Sequence, residues 1–408
     1  MTQGEAATLI LIASAAFVLP LLGRRLRMPA VVLEILFGIA IGPVFGLVQP
    51  SELVEVLAEF GLLLLLFLAG FEIELEVFER QGMMPILVGL GIYALTVAGS
   101  VTIGLALGVG LFVALVLATN SVGVIIPTLR GTRMIGTSLG QDILVAALLA
   151  DILTLLAVTG FALTTEYGFG VRLLAIPAFF LIAGTGLAML RRAAWWRPER
   201  FGRLFAADDP EELGIRASLA LMLVFVGLSL VLGIESILGA FLAGTAFAAV
   251  FRHRGGLDEK LTGFSYGFFI PIFFINVGIG FRIDAILDPA AIRLTLLLLV
   301  AALAVKVLPG LLLVARRHSL RESLAAGALL SARLSLIIAI AELGVELELI
   351  SETMESSIIL LAAVTATLAP TLFRLLLPPR RGDPDEAAAP PVDSHREGPV
   401  HVPGAGLR

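Results

Sequence analysis

Few side chains of this chain could do ionic chemistry, and the informative ones interrupt long apolar runs. Asp151 lies in Leu148-Leu149-Ala150-Asp151-Ile152-Leu153. A charge near the middle of a bilayer costs at least about 2.5 kcal/mol, so it marks a functional site by default. Asp142 stands nine residues earlier, about 13 Å along a helix, where it suits a funnel mouth or the membrane interface. Lys306 lies between Ala304-Val305 and Val307-Leu308-Pro309-Gly310, and Arg333 lies in Ser331-Ala332-Arg333-Leu334-Ser335. Lys306 is too deep to reach the interface easily, and Arg333 suits either a structural or gating role or a substrate contact. Thr119, Asn120 and Ser121 form a consecutive polar run, followed by Gly123 and Pro127. An interruption there exposes carbonyls and opposed helix ends, which can coordinate a cation and balance charges. Glu34, Glu235 and Glu342 lie nearer the ends of apolar runs and read as interfacial or structural.

The elements that hold these residues must be membrane helices. The chain has 408 residues, of which 58% are hydrophobic and 15% charged, with a mean hydropathy of +1.02. Soluble domains average about 45–50% apolar and about 25% charged. The net charge of −5 gives no basic nucleic-acid surface, and cysteine is absent. His253, His318, His395 and His401 fall in polar connections or the tail, so no buried histidine metal site is expected. No nucleophile motif, phosphate loop or cofactor fingerprint is present, and neither an enzyme nor a bound cofactor is expected.

Thirteen runs approach the length of about 20 residues that crosses a bilayer as a helix. They cover roughly 6–23, 29–48, 53–71, 85–107, 111–129, 138–163, 171–190, 213–233, 236–251, 262–281, 290–315, 322–344 and 355–377. The runs are continuous rather than alternating, which excludes a β-barrel. With the N-terminus outside and the C-terminus cytoplasmic, nearly all Lys and Arg of the connections fall on the inner side. Only Arg172, Arg282 and Arg293 fall outside, as the positive-inside rule requires. The first run carries Glu5 rather than a basic lead-in, so it is expected to stay as a span. Residues 378–408 are rich in Pro, Ala and charge and are expected to form a disordered cytoplasmic tail.

The third and tenth runs end alike, as Phe67-Leu68-Ala69-Gly70-Phe71-Glu72 and Asn276-Val277-Gly278-Ile279-Gly280-Phe281. The second and ninth runs share glycine spacing. The offset is seven spans, and an odd offset reverses direction across the membrane. This predicts an all-α polytopic protein of two inverted six-helix repeats, a common plan of secondary transporters. The fifth and twelfth runs occupy matching places. Their polar interruptions at Thr119-Asn120-Ser121 and Ser331-Ala332-Arg333 predict two broken, crossing helices. Unwound backbone at that depth is tolerated where it is buried or lines a cavity.

Four segments carry a family likeness. Pro29-Ala30-Val31-Val32-Leu33-Glu34-Ile35-Leu36, Leu66-Phe67-Leu68-Ala69-Gly70-Phe71-Glu72, Gly239-Ala240-Phe241-Leu242-Ala243-Gly244 and Pro271-Ile272-Phe273-Phe274-Ile275-Asn276-Val277-Gly278 together resemble monovalent cation:proton antiporters. The chain is similar to the branch of the sodium/proton exchanger superfamily that holds bacterial sodium/proton antiporters and potassium efflux antiporters. The resemblance covers about residues 6–377. It implies exchange of Na⁺, K⁺ or Li⁺ for H⁺, a homodimer in the lipid bilayer of the cell membrane, and a mobile core of spans 4–6 and 11–13. Gly140 precedes Asp151 by the family's eleven residues, so the resemblance marks Asp151 as the transport carboxylate. It marks Thr119, Asn120 and Ser121 as ligands or lining and Lys306 as the family's basic residue; Lys306 and Arg333 are the candidates for charge compensation. Ala150 departs from the polar residue usual before that aspartate; a single carboxylate implies electroneutral exchange. An ion-coupled organic anion symporter, with Arg333 meeting the substrate, and a passive cation channel are the alternative readings.

Overall fold

The computed structural model describes residues 3–26, 28–48, 51–72, 83–168, 170–196, 211–251, 257–283 and 287–377. The expected tail, 378–408, lies outside the described residues. Every regular element among the described residues is helical. In chain order they are α1 (Gln3–Leu26), α2 (Ala30–Ile39), α3 (Glu52–Phe71), α4 (Met83–Leu107), α5 (Gly110–Val116), α6 (Val122–Gly131), α7 (Ser138–Tyr167) and α8 (Ala175–Trp196). They continue with α9 (Leu213–Val231), α10 (Ser236–Phe251), α11 (Leu257–Phe264), α12 (Ile270–Ile279), α13 (Pro289–Gly310), α14 (Leu320–Leu330), α15 (Ser335–Glu346) and α16 (Glu352–Leu376). Short π-helical turns extend α2 over Ala40–Val44 and join α11 to α12 over Ser265–Phe269.

Eight of these helical segments are long and apolar enough to cross a membrane, or nine when the pair α14–α15, bent by 43°, counts as one span. Shorter apolar helices at Ala30–Val44, Val122–Gly131, Ala175–Gly186 and Ser236–Ala249 lie within the remaining expected runs. Helix length alone therefore does not establish a count of thirteen.

Both interrupted runs are broken. Asn, Ser and Thr side chains compete with the helix ladder for backbone partners, and the chain leaves helical geometry between Val116 and Val122. Ser121, with φ −144° and ψ 99°, is extended and begins α6. In the second break Leu334 is also non-helical, with φ −153° and ψ −77°. Each break leaves a helix C-terminus and a helix N-terminus facing unwound chain inside the protein.

Close glycine crossings lock α2, α3, α10 and α12 together. A Cβ on Gly38 would overlap the Ile275 carbonyl, one on Gly278 that of Ile35, one on Gly70 that of Phe241, and one on Gly244 that of Phe67. These contacts explain the glycines of the repeated motifs: small residues let membrane helices approach backbone to backbone. A second group, α13 against α14, is joined in the same manner through Gly310 and Gly327.

Candidate ion-binding site

The depth of Asp151 is set from one end of α7. Thr137 caps that helix by accepting a hydrogen bond from the Gly140 N–H at 3.1 Å. A Cβ at Gly140 would overlap the Met134 carbonyl, so glycine lets the preceding turn fold tightly against the helix start. Asp151 follows eleven residues later, about 16 Å along the axis, and is buried at 7% exposure.

Asp151 lines a narrow compartment of about 30 Å³ with Asn120 and Ser121 from the α5–α6 break. Two oxygens there are buried without a hydrogen-bond partner among the described residues, Asp151 Oδ1 and Asn120 Oδ1. The Asn120 backbone N–H faces the Asp151 carboxylate, and its side-chain Nδ2 donates to the Ala147 carbonyl at 3.4 Å. Asn120 is thus held with its amide oxygen uncommitted. Buried oxygens of this kind cost free energy unless something fills them, and they can accept a cation or a proton donor.

Thr119 is brought near in sequence but not into the lining. It is fully buried, and its hydroxyl donates to the Val116 carbonyl at 2.8 Å. Lys306 and Arg333 also stay out of the compartment. Lys306 Nζ donates to the Ala118 carbonyl at 2.6 Å. Arg333 donates to the carbonyls of Leu117 at 2.6 Å, Ser331 at 2.9 Å and Ala302 at 3.1 Å. Leu117, Ala118 and Ser331 sit in the two breaks, where the C-terminal ends of α5 and α14 present carbonyls without helical partners. Cations at such ends meet the negative pole of the helix dipole. The two deep cations therefore compensate broken helix ends through direct hydrogen bonds.

Asp142, expected at a funnel mouth, lines neither this compartment nor the wide cavity beside it. It is buried and accepts from Arg316 Nε at 3.1 Å and Nη2 at 3.2 Å. His318 Nε2 lies 2.7 Å from the same carboxylate. His318 does lie in a connection, as the sequence indicates, but it is buried at 9% exposure.

The compartment also contains residues that sequence reasoning passed over as site members. Glu72, Tyr266, Ser335, Phe241 and Leu336 line it. Glu72 closes the Leu-Phe-Leu-Ala-Gly-Phe-Glu motif, which was the signal available for it. On one side the compartment adjoins a cavity of about 560 Å³ whose lining includes Arg24, Pro29, Thr128, Thr367 and Arg374. A separate acidic cavity of about 350 Å³ is lined by Glu52, Glu55, Glu59, Glu235, Glu342, Glu346 and Asn276.

The family described as "Sodium/hydrogen exchanger, transmembrane" matches residues 12–377. A putative Na⁺/H⁺ antiporter, YjbQ of Bacillus subtilis (strain 168), is 31% identical over 95% of this chain, and the match spans 65% of that relative's length. A probable Na⁺/H⁺ antiporter 3 of Methanocaldococcus jannaschii is 30% identical over 89% of this chain and 94% of that protein. The fold is that of the sodium proton antiporter MjNhaP1 from Methanocaldococcus jannaschii, with a TM-score of 0.64, 14% identity and 90% of this chain and 95% of that one covered. The chain is a multi-pass membrane protein that belongs to the transmembrane sodium/hydrogen exchanger family.

Proposed function

We propose that this protein is a secondary transporter exchanging a monovalent cation for a proton, with the two competing for Asp151. The observation that carries this reading is the pair of unpartnered buried oxygens, Asp151 Oδ1 and Asn120 Oδ1, in a compartment of about 30 Å³. That volume admits one ion and little water. A bare carboxylate is strongly penalised in such surroundings. Asp151 is therefore occupied either by a proton or by Na⁺, K⁺ or Li⁺, with Asn120 and Ser121 supplying further oxygen ligands. Only the occupied, neutralised site crosses between the two sides. Of the two carboxylates that line the compartment, Asp151 and Glu72, Asp151 alone exchanges its load, one cation against one proton, and the exchange is electroneutral. The coupling is mechanical, through alternating access, and no reaction is catalysed.

In this mechanism α4–α7 and α13–α16 move as a core against α1–α3 and α8–α12. The Arg-lined cavity faces the cytoplasm and the acidic cavity faces outside, which matches the distribution of Lys and Arg in the connections. The protein works as a homodimer in the cell membrane. The name of one relative from Bacillus cereus, the Na⁺/H⁺-K⁺ antiporter GerN at 29% identity, supports a cation set that includes K⁺ as well as Na⁺. Arg333 directs Nη1 and Nη2 to backbone carbonyls, which disfavours an organic anion as cargo.

Reconstitution into vesicles with a pH-sensitive dye tests the proposal. Na⁺, K⁺ and Li⁺ are supplied in turn, with and without an imposed membrane potential. Exchange that ignores the potential and disappears in Asp151→Asn is the expected result. Full exchange by Asp151→Asn, with its intact fold, removes Asp151 from the mechanism.

A further inference from the structure

The wide cavity and the Asp151 compartment have five lining residues in common: Leu65, Ser121, Gly123, Tyr266 and Ser335. These residues border both spaces and form the neck where the two adjoin. Three of them carry hydroxyls, and they come from separate parts of the chain. Ser121 ends the first break, and Ser335 is the first residue of α15 after the second break. Tyr266 comes from the opposing wall, in the π-helical turn Ser265–Phe269. Such turns often occur at functional sites. None of the three hydroxyls makes a hydrogen bond among the described residues. Tyr266 keeps 43% of its surface exposed, although it also lines the narrow compartment.

We propose that this neck is a second cation station, with the Tyr266 and Ser335 hydroxyls replacing part of the water shell of a monovalent cation before it reaches Asp151. The assignment rests on the exchange function proposed above and adds the residues that set its cation preference. Hard cations prefer oxygen ligands, and the tyrosine ring adds a face that attracts a desolvated cation. Small, strongly hydrated Li⁺ and Na⁺ gain more from each added oxygen than K⁺ does. Ser121 and Ser335 belong to the broken helices, whereas Tyr266 belongs to the wall formed with α12. The station is therefore complete only while those two parts face each other with the wide cavity open.

The test compares wild type, Tyr266→Phe, Ser335→Ala and the double variant in vesicles, with initial rates measured against Li⁺, Na⁺ and K⁺ concentration. Phenylalanine keeps the ring and its packing, so only the oxygen is lost. The KM for Li⁺ and Na⁺ is expected to rise about fivefold for each hydroxyl removed, the scale of one lost polar contact. The KM for K⁺ changes less, and the maximum rate is kept. Unchanged KM values, or a loss of maximum rate shared equally by the three ions, overturn the station. If Asp151→Asn is inactive in the same vesicles, that result leaves the exchange reading standing. A wild-type protein that exchanges none of the three ions for protons overturns both.

Discussion

The fully buried Arg333 guanidinium reaches across to the first chain break and donates to the Leu117 carbonyl at 2.6 Å. One broken helix thus supplies the charge that caps the other. The same side chain serves Ser331 in its own break at 2.9 Å. The crossing is held by a shared cation, and the two half-helix C-termini need no carboxylate beside them.

Arg333→Met should therefore act on the fold before it acts on transport. Two break carbonyls lose their donor, at about 1–3 kcal/mol for each buried group left unsatisfied. A loss of about 3 kcal/mol or more is expected in denaturant or thermal unfolding in detergent. Arg333→Lys should lose less, because it keeps the charge and one donor but not the fork. A Met variant as stable as wild type is inconsistent with this role.

Lys306 makes a different prediction, because its charge adds to a region that already holds Arg333. Lys306→Gln keeps an N–H donor for the Ala118 carbonyl and removes a positive charge from the neighbourhood of Asp151. Cation binding should tighten, with KM falling about tenfold, or about 1.4 kcal/mol, the scale of one screened charge. Slower release should lower the maximum rate. Rates against cation concentration separate the two effects; a higher KM with an unchanged maximum rate contradicts the argument.

Some of this architecture is legible in the sequence because polarity inside an apolar run is conspicuous. Asp151 and the two breaks stand out for that reason. Pairing at long range does not stand out. Asp142 resembles an interfacial charge until Arg316 and His318 are folded onto it from more than 170 residues away. Lys306 and Arg333 invite pairing with a carboxylate, but unpaired carbonyls exist only once the helices are broken. Tyr266 and Ser335 are ordinary span residues in sequence, and only the joining of two cavities makes them neighbours. Helix number does not follow from length, because α2, α6, α8 and α10 include apolar segments too short to span by length alone.

The Asp142 cluster should prove a structural clamp. Its side chain is 2% exposed and faces both Arg316 and His318. Removing the carboxylate charge leaves buried His318 and part-buried Arg316, 24% exposed, short of their acceptor, at about 1–3 kcal/mol for each group left unsatisfied. Asp142→Asn should lower unfolding stability on that scale while leaving relative KM values for Na⁺, K⁺ and Li⁺ unchanged in the protein that folds. A changed ion preference with normal stability would instead place Asp142 on the ion path.

Glu235 gives a prediction in pH. It precedes α10 at the acidic cavity, and its carboxyl is raised from 4.5 to about 7 by burial and then by repulsion from Glu346 and Glu166. A carboxyl whose value is higher in the folded state binds its proton more tightly there than in the unfolded chain. Its contribution to stability is therefore full below about 4.5 and is lost as pH rises through about 7. Glu235→Gln mimics the protonated form at every pH. Between pH 5 and 8 the melting temperature of the wild type should fall relative to that of the Gln variant. The gap should grow with pH and then level off above about 7.5, where the wild-type carboxyl is mostly ionised. Glu52, Glu55, Glu59, Glu342 and Glu346 share the cavity, so it is the difference between the two proteins, rather than either curve alone, that reports Glu235. A difference that stays flat over this range, or shrinks as pH rises, means that Glu235 does not release its proton in this window.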